Sequence, residues 1–215
     1  MHNGLLYLIR TPVTFLKAVS NLIRKRLVSK DSIHIIFTWT DNDKRWEDFA
    51  ENLGLGSCVE FIGYLSHKES LKKAKQSDML LLIVGPGEQN DAIYPGKVFE
   101  YLRMGKPILS LSPNNSVVDE LITKTRAGYN VDYDDVYQME KVLFKLYKNW
   151  LKDQFKTHKI INDIEKFERR TLTKKLANTF EETLYHSTHG KDKNNRDKID
   201  VIYNKSKGTN NNTTR

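Results

Sequence analysis

Met79-Leu80-Leu81-Leu82-Ile83-Val84 is the longest apolar run in the chain, and no polar residue alternates with it. A strand of that kind must be covered on both faces, as in a parallel sheet. It belongs to a series. Ile33 to Trp39, Cys58 to Ile62, Pro107 to Leu111 and Gly128 to Val131 read as further short strands, and helical stretches separate them. Thr11-Pro12 opens a helix to about Arg26, with proline near the first turn and Phe15, Leu16, Val19, Leu22 and Ile23 on one stripe. Asp43 to Leu53 reads as a helix stopped by Gly54. Ser66-His67-Lys68-Glu69 is a capping box for a helix to about Gln76, and further helices begin at Pro95 and Asn115. This alternation from residue 12 to 132 predicts an α/β fold, a doubly wound parallel sheet with helices on both faces. Such sheets bind ligands beyond the carboxyl ends of their strands. The loops after Ile62, Val84 and Leu111 are therefore expected at one edge, beside the Pro95 helix. From Asp135 the pattern changes to two helices, Val136 to Phe155 and Ile160 to Tyr185, with Phe167, Leu172, Leu176 and Phe180 as a partial stripe.

At 215 residues the chain can bury one substantial core. The expected organisation is a domain over 1–187 and a polar, basic, disordered tail over 188–215. The net charge is +8, and half of it, seven Lys/Arg against three Asp, lies in the last 28 residues. That segment is rich in Asn, Lys and Thr and too poor in apolar residues to order itself. A basic tail also suits acidic polymers or an anionic membrane. No stretch interleaves aromatics with a basic face as single-strand binders do, so nucleic acid is not the expected partner. The single cysteine, Cys58, excludes an internal disulfide and reads as a small core residue. The N-terminal run Leu5 to Ile9 is too short for a signal peptide, no basic residue precedes it, and Arg10 and Pro12 end it. A cytoplasmic location is expected, with peripheral contact at the inner face of a membrane as an extension of it.

Pro95-Gly96-Lys97-Val98-Phe99-Glu100-Tyr101-Leu102 carries the chemistry. A Pro-Gly turn starts the helix, whose free N–H groups and partial positive charge suit a phosphate. Lys97 adds a full charge, and Glu100, one turn on, shares its face. A cation for phosphate and a carboxylate for hydroxyls fit a phosphorylated sugar or a nucleotide. Spacing alone equally describes an exposed i,i+3 ion pair. Gly85-Pro86-Gly87 reads as a plain turn. Asp41-Asn42-Asp43 and Asp132-Tyr133-Asp134 both spell D-x-D, yet they sit in loops where Asp and Asn favour turns and caps.

Val59-Glu60-Phe61-Ile62-Gly63-Tyr64-Leu65, the capping box, Ser77 to Ile83, the Pro95 motif and Gly105-Lys106-Pro107-Ile108-Leu109 occur in that order. Gly4-Leu5-Leu6-Tyr7, Arg10-Thr11-Pro12 and Phe15-Leu16 precede them. The ordered set resembles the C-terminal, donor-binding domain of GT-B fold glycosyltransferases, family-4-like, over roughly Asn3 to Tyr185. The resemblance implies a Rossmann-like single GT-B half that binds a nucleotide-sugar. It places Gly4 at the glycine loop and makes Arg10 and Lys97 the cations on the diphosphate. Pro95 and Gly96 form the turn whose backbone N–H groups face it, Glu100 holds the ribose hydroxyls, and Gly63 and Tyr64 lie next to the nucleobase. A diphosphate leaving group held by fixed cations and N–H dipoles needs no metal, so no cofactor or metal is expected.

The sequence departs from that pattern in two places. Many relatives carry another glutamate eight positions before the second; here the position is Ala92, with Asp91 beside it. The acceptor-binding N-terminal half is absent from the sequence, and Met1 falls almost at the glycine loop. The resemblance therefore implies that this chain binds the donor but needs another half to transfer sugar to a glycan or lipid-linked acceptor. It also implies that the chain is a piece of a longer coding sequence, unless Leu5 to Ile9 replaces the first strand. A non-catalytic module whose basic tail binds RNA or a protein is the reading from another class.

Overall fold

The computed structural model describes residues 1–6, 9–38, 44–153 and 164–189. The six strands are β1 (His2–Asn3), β2 (Ile35–Thr38), β3 (Val59–Ile62), β4 (Leu80–Ile83), β5 (Ile108–Leu111) and β6 (Gly128–Val131). The helices are α1 (Val13–Arg24), α2 (Arg45–Asn52), α3 (His67–Gln76), α4 (Lys97–Met104), α5 (Val117–Thr125), α6 (Val136–Leu151) and α7 (Arg169–His189). The chain forms two compact units, 1–164 and 165–215. Only the first contains strands among the described residues.

All strand pairs are parallel, in two ladders, β1-β2-β3 and β4-β5-β6. Main-chain bonds link the ladders: Leu81 N–H donates to Met1 O at 2.8 Å, and the Met1 amino group donates to Met79 O at 2.9 Å. They set β1 beside β4, giving the spatial order 3-2-1-4-5-6 with its switch point between β1 and β4. The expected doubly wound, Rossmann-like sheet is therefore present. The alternative that Leu5 to Ile9 supplies the first strand is corrected. β2 pairs with His2 and Asn3, and Gly4, at φ 139°, turns the backbone out of the strand immediately afterwards. Leu5 and Leu6 lie beyond that turn, Leu6 anchoring it in the core, and Tyr7 and Leu8 fall outside the described residues.

The apolar runs explain the layers. β4 and β5 are buried at every position. By alternation along a strand, Leu81 and Ile83 lie on one face with Phe37, Leu109, Leu111 and Val131, where α1 and α6 add Phe15, Leu16, Val19, Met139 and Leu146 to the core. Leu80 and Leu82 lie on the other face. α1 and α6 pack together, and Asn21 Nδ2 donates across their seam to Glu140 Oε1 at 2.6 Å. α4 ends in Gly105, whose left-handed φ of 69° suits a residue without a Cβ; the chain then enters β5 through Pro107. Gly128 is required for a different reason: a Cβ there would come within 1.8 Å of Ile108 O in the neighbouring strand.

Element boundaries contract relative to the sequence reading. α1 ends at Arg24, with Arg26 at φ 56°, and α5 begins at Val117 after the Ser116 cap. The loop after β4 contains a 3-10 turn over Glu88–Ala92. Asp41-Asn42-Asp43 lies outside the described residues, as does the expected tail apart from the last residues of α7. Among the described residues no helix is long and apolar enough to cross a membrane.

Candidate functional site

At the carboxyl edge of the sheet, β1, β2 and α4 converge on the switch point. Gly4 follows β1, and its N–H still bonds Thr38 O at the end of β2 at 3.3 Å. From α4, Lys97 reaches back to this turn and its ammonium donates to Asn3 O at 2.8 Å. Tyr101, one turn further along α4, accepts from Asn3 N–H at 3.0 Å through its buried hydroxyl. A Cβ on Gly4 would lie 2.4 Å from Lys97 Nζ. Glycine here serves both the positive φ and the close approach of the lysine.

Lys97 is a mostly buried cation. Burial, with the Arg10 guanidinium adding repulsion, lowers its pKa to about 8, and Glu100 opposes the shift. His2 is buried beneath the same turn. Its Nδ1 lies 3.0 Å from Leu81 O, which can only accept, so Nδ1 carries the proton. Nε2 is buried without a hydrogen-bond partner, 3.8 Å from the Gly4 Cβ position. Burial, then Lys97, the Met1 amine and Arg10 keep this imidazole well below its ordinary pKa, while the Leu81 bond opposes them. Lys97 and Arg10 thus repel each other around one turn and keep the buried His2 from taking a charge, an arrangement that an anion relieves.

Glu100 does not pair with Lys97. Its Oε1 bonds His67 Nε2, from the first turn of α3, at 2.9 Å. The exposed i,i+3 ion pair allowed by the spacing is therefore replaced by two longer-range contacts. α3 is fixed at that end by the capping box: Ser66 Oγ accepts from Glu69 N–H while Ser66 N–H donates to Glu69 Oε2 at 3.0 Å. Donation from the Ser66 hydroxyl to Glu69 Oε2, and then from Ser66 N–H, holds the Glu69 carboxyl below its usual range. Gly63 and Tyr64, on the loop that enters α3, are exposed, Tyr64 by 72%. Pro95 is buried, Gly96 is exposed, and α4 starts with no side-chain cap on Gly96. A Cβ on Gly63 or Gly96 would meet nothing within 4 Å.

The fold therefore brings Gly4, Lys97, Glu100, Pro95 and Gly96 to one place, with Arg10 in electrostatic range of Lys97 and the Gly63-Tyr64 loop joined through α3. The sequence reading missed His67 and His2. His67 appeared only as the second letter of a capping box, and nothing in the sequence ties it to a carboxylate 33 residues away. His2 stands two positions before Gly4, and the two-residue period of a strand is the one signal that aligns them. Asp132-Tyr133-Asp134 leads into α6: Asp132 O accepts from Asp135 N–H, and Tyr133 bonds Thr11 and Thr14. Gly85-Pro86-Gly87 is a turn held by Asn90 Nδ2, which donates to Pro86 O at 2.7 Å. A cavity of about 410 Å³ opens at the other end of the strands, lined by Met1, Ile35, Leu81, Leu143 and Trp150 among others. It is mostly apolar and contains none of the converging charges except the edge of His2, so the site is assigned by its charges rather than by hollow size.

No protein-family model matches the sequence, and no curated protein matches it. Solved structures do match. WaaG, a glycosyltransferase involved in lipopolysaccharide biosynthesis, superposes with a TM-score of 0.53 and 19% identity over 68% of this chain. TarM of S. aureus, solved as a variant with fondaparinux, α-GlcNAc-glycerol and UDP, superposes with a TM-score of 0.61 and 13% identity over 83% of this chain. The chain spans 37% and 35% of the lengths of these two proteins. Both are GT-B glycosyltransferases, and this α/β unit has the fold of a GT-B-type glycosyltransferase domain.

Proposed function

We propose that this domain binds the nucleoside diphosphate part of a nucleotide-sugar donor for glycosyl transfer. The observation that carries the reading is the placement of Lys97 Nζ on the Gly4 turn, at the switch point of the sheet, with Arg10 and Glu100 in electrostatic range. The ammonium, Arg10 and the N–H groups of Gly96 and Lys97 at the start of α4 receive the two phosphates. Glu100 keeps Oε2 available for ribose hydroxyls. The open space at Gly63 and Gly96 lets a ligand approach backbone at both loops. Negative charge that develops on a departing diphosphate is stabilised by these fixed groups. The reaction itself, transfer to a glycan or lipid-linked acceptor, requires groups beyond this domain, from a second half in the same polypeptide or another one. The TarM structure was solved with UDP, which makes UDP the first probe.

UDP, GDP and ADP are to be compared by thermal shift and calorimetry. A ligand at a hundred times its Kd stabilises the folded state by about 2.7 kcal/mol, which raises Tm by roughly 5–10 °C for a domain of this size. Lys97→Ala and Glu100→Ala should each weaken the best ligand by about tenfold, the loss expected for a hydrogen bond to a charged group. Unchanged binding in both variants sinks the site.

A further inference from the structure

We propose that His67 is a positioning residue for the nucleotide, fixing the Glu100 carboxylate for the ribose and coupling it to the loop beside the base; this rests on the donor-binding reading above. His67 is the first residue of α3, and the capping box locks that turn from both sides. Its Nε2 reaches Glu100 Oε1 at 2.9 Å, from a different helix. The bond occupies one carboxylate oxygen and leaves Oε2 to accept. A carboxylate oriented by a donor from a second helix has part of its ordering done before the ligand arrives, so less remains to be done on binding.

The connection matters because of what lies on either side of it. Three residues before the Ser66 cap stands Gly63, followed by the exposed Tyr64. One turn of α4 before Glu100 stands Lys97, bonded to the Gly4 turn. His67 is thus the link between the β3–α3 loop and the helix that carries the phosphate cation. An exposed His–Glu pair adds little to stability, and His67 is 71% exposed at its side chain. A structural role therefore predicts a small, ligand-independent effect, whereas a positioning role predicts an effect confined to ligands that carry ribose hydroxyls.

The test is a cycle between one protein change and one ligand change. Wild type, His67→Ala and His67→Gln are titrated with UDP, and with 2′,3′-dideoxy-UDP, which keeps the base and both phosphates. His67→Ala should weaken UDP by about five- to tenfold and leave the dideoxy analogue within twofold, with an unchanged Tm in the absence of ligand. His67→Gln, which retains an N–H donor, should recover most of the loss. Equal losses for the two ligands, no loss for either, or tighter UDP binding by His67→Ala would overturn the proposal, the last because it means that His67 competes with ribose for Glu100. If wild type binds UDP and Lys97→Ala abolishes it while His67→Ala is neutral, donor binding stands and only the role of His67 falls. If wild type binds none of UDP, GDP and ADP, both readings fall.

Discussion

Lys97 combines two demands that usually exclude each other: burial and a positive charge. Its ordinary pKa is about 10.4, and in the folded domain it lies near 8. The folded state therefore binds fewer protons than the unfolded chain between about pH 8 and 10.4, so through this residue stability rises with pH across that window. Below pH 8 the lysine is charged in both states, and its burial is a constant cost. Lys97→Met, which keeps the apolar stem, should be more stable than wild type at pH 7 and should lose the rise above pH 8. Denaturant titrations at pH 7, 8, 9 and 10 read this directly; equal slopes in both proteins would sink the assignment. A bound diphosphate reverses the shift, because a nearby negative charge restores the lysine to its charged form. Nucleotide binding should accordingly take up a proton between pH 8 and 9, visible as a buffer-dependent binding enthalpy.

Among the elements, β6 sets the tightest tolerance. β6 approaches β5 so closely at Gly128 that a methyl group would meet the backbone carbonyl of Ile108 rather than a side chain that can move. Gly128→Ala should cost about 3 kcal/mol, the upper end of overpacking effects, read from the urea midpoint of unfolding. A loss under 1 kcal/mol would mean that the strand pair shifts freely. The helical and strand spans themselves were legible from apolar spacing, because continuous apolar runs bounded by Gly, Ser and Pro leave few alternatives. Their ends were less so. The sequence reading began β2 two residues early and overran β4 by one residue at each end, since an apolar residue that leaves a ladder looks the same as one that stays in it.

For the whole molecule, the main question is where the net charge acts. Half of the +8 lies in residues 188–215, while the candidate site draws on local cations at one sheet edge. Deleting 188–215 should leave the UDP affinity within twofold. If the basic segment instead binds RNA, filter binding should show a steep salt dependence in the full chain that disappears on deletion. Loss of UDP binding on deletion would show that the domain unit and the tail are not separable in function. The chain spans 37% and 35% of the lengths of the two glycosyltransferases compared, and under the proposed function nucleotide binding is the assay that this chain can be given.

The order of the elements after β1 and the doubly wound sheet were readable from the sequence, and the family resemblance singled out Gly4, Lys97 and Glu100 as candidate site residues. Local periodicity and turn chemistry act over a few residues, and they are written in the order in which the chain runs. Only the tertiary structure decided which partners those residues take. Lys97 turns away from Glu100, its neighbour on the helix, to the backbone of Asn3, and Glu100 bonds a histidine of another helix. The first strand proved to be His2–Asn3 rather than the longer apolar stretch after Gly4, because the position between β2 and β4 is fixed by backbone bonds that no side-chain pattern announces. Contacts between residues 33 and 94 positions apart depend on how layers stack, and a one-dimensional pattern holds no term for that distance.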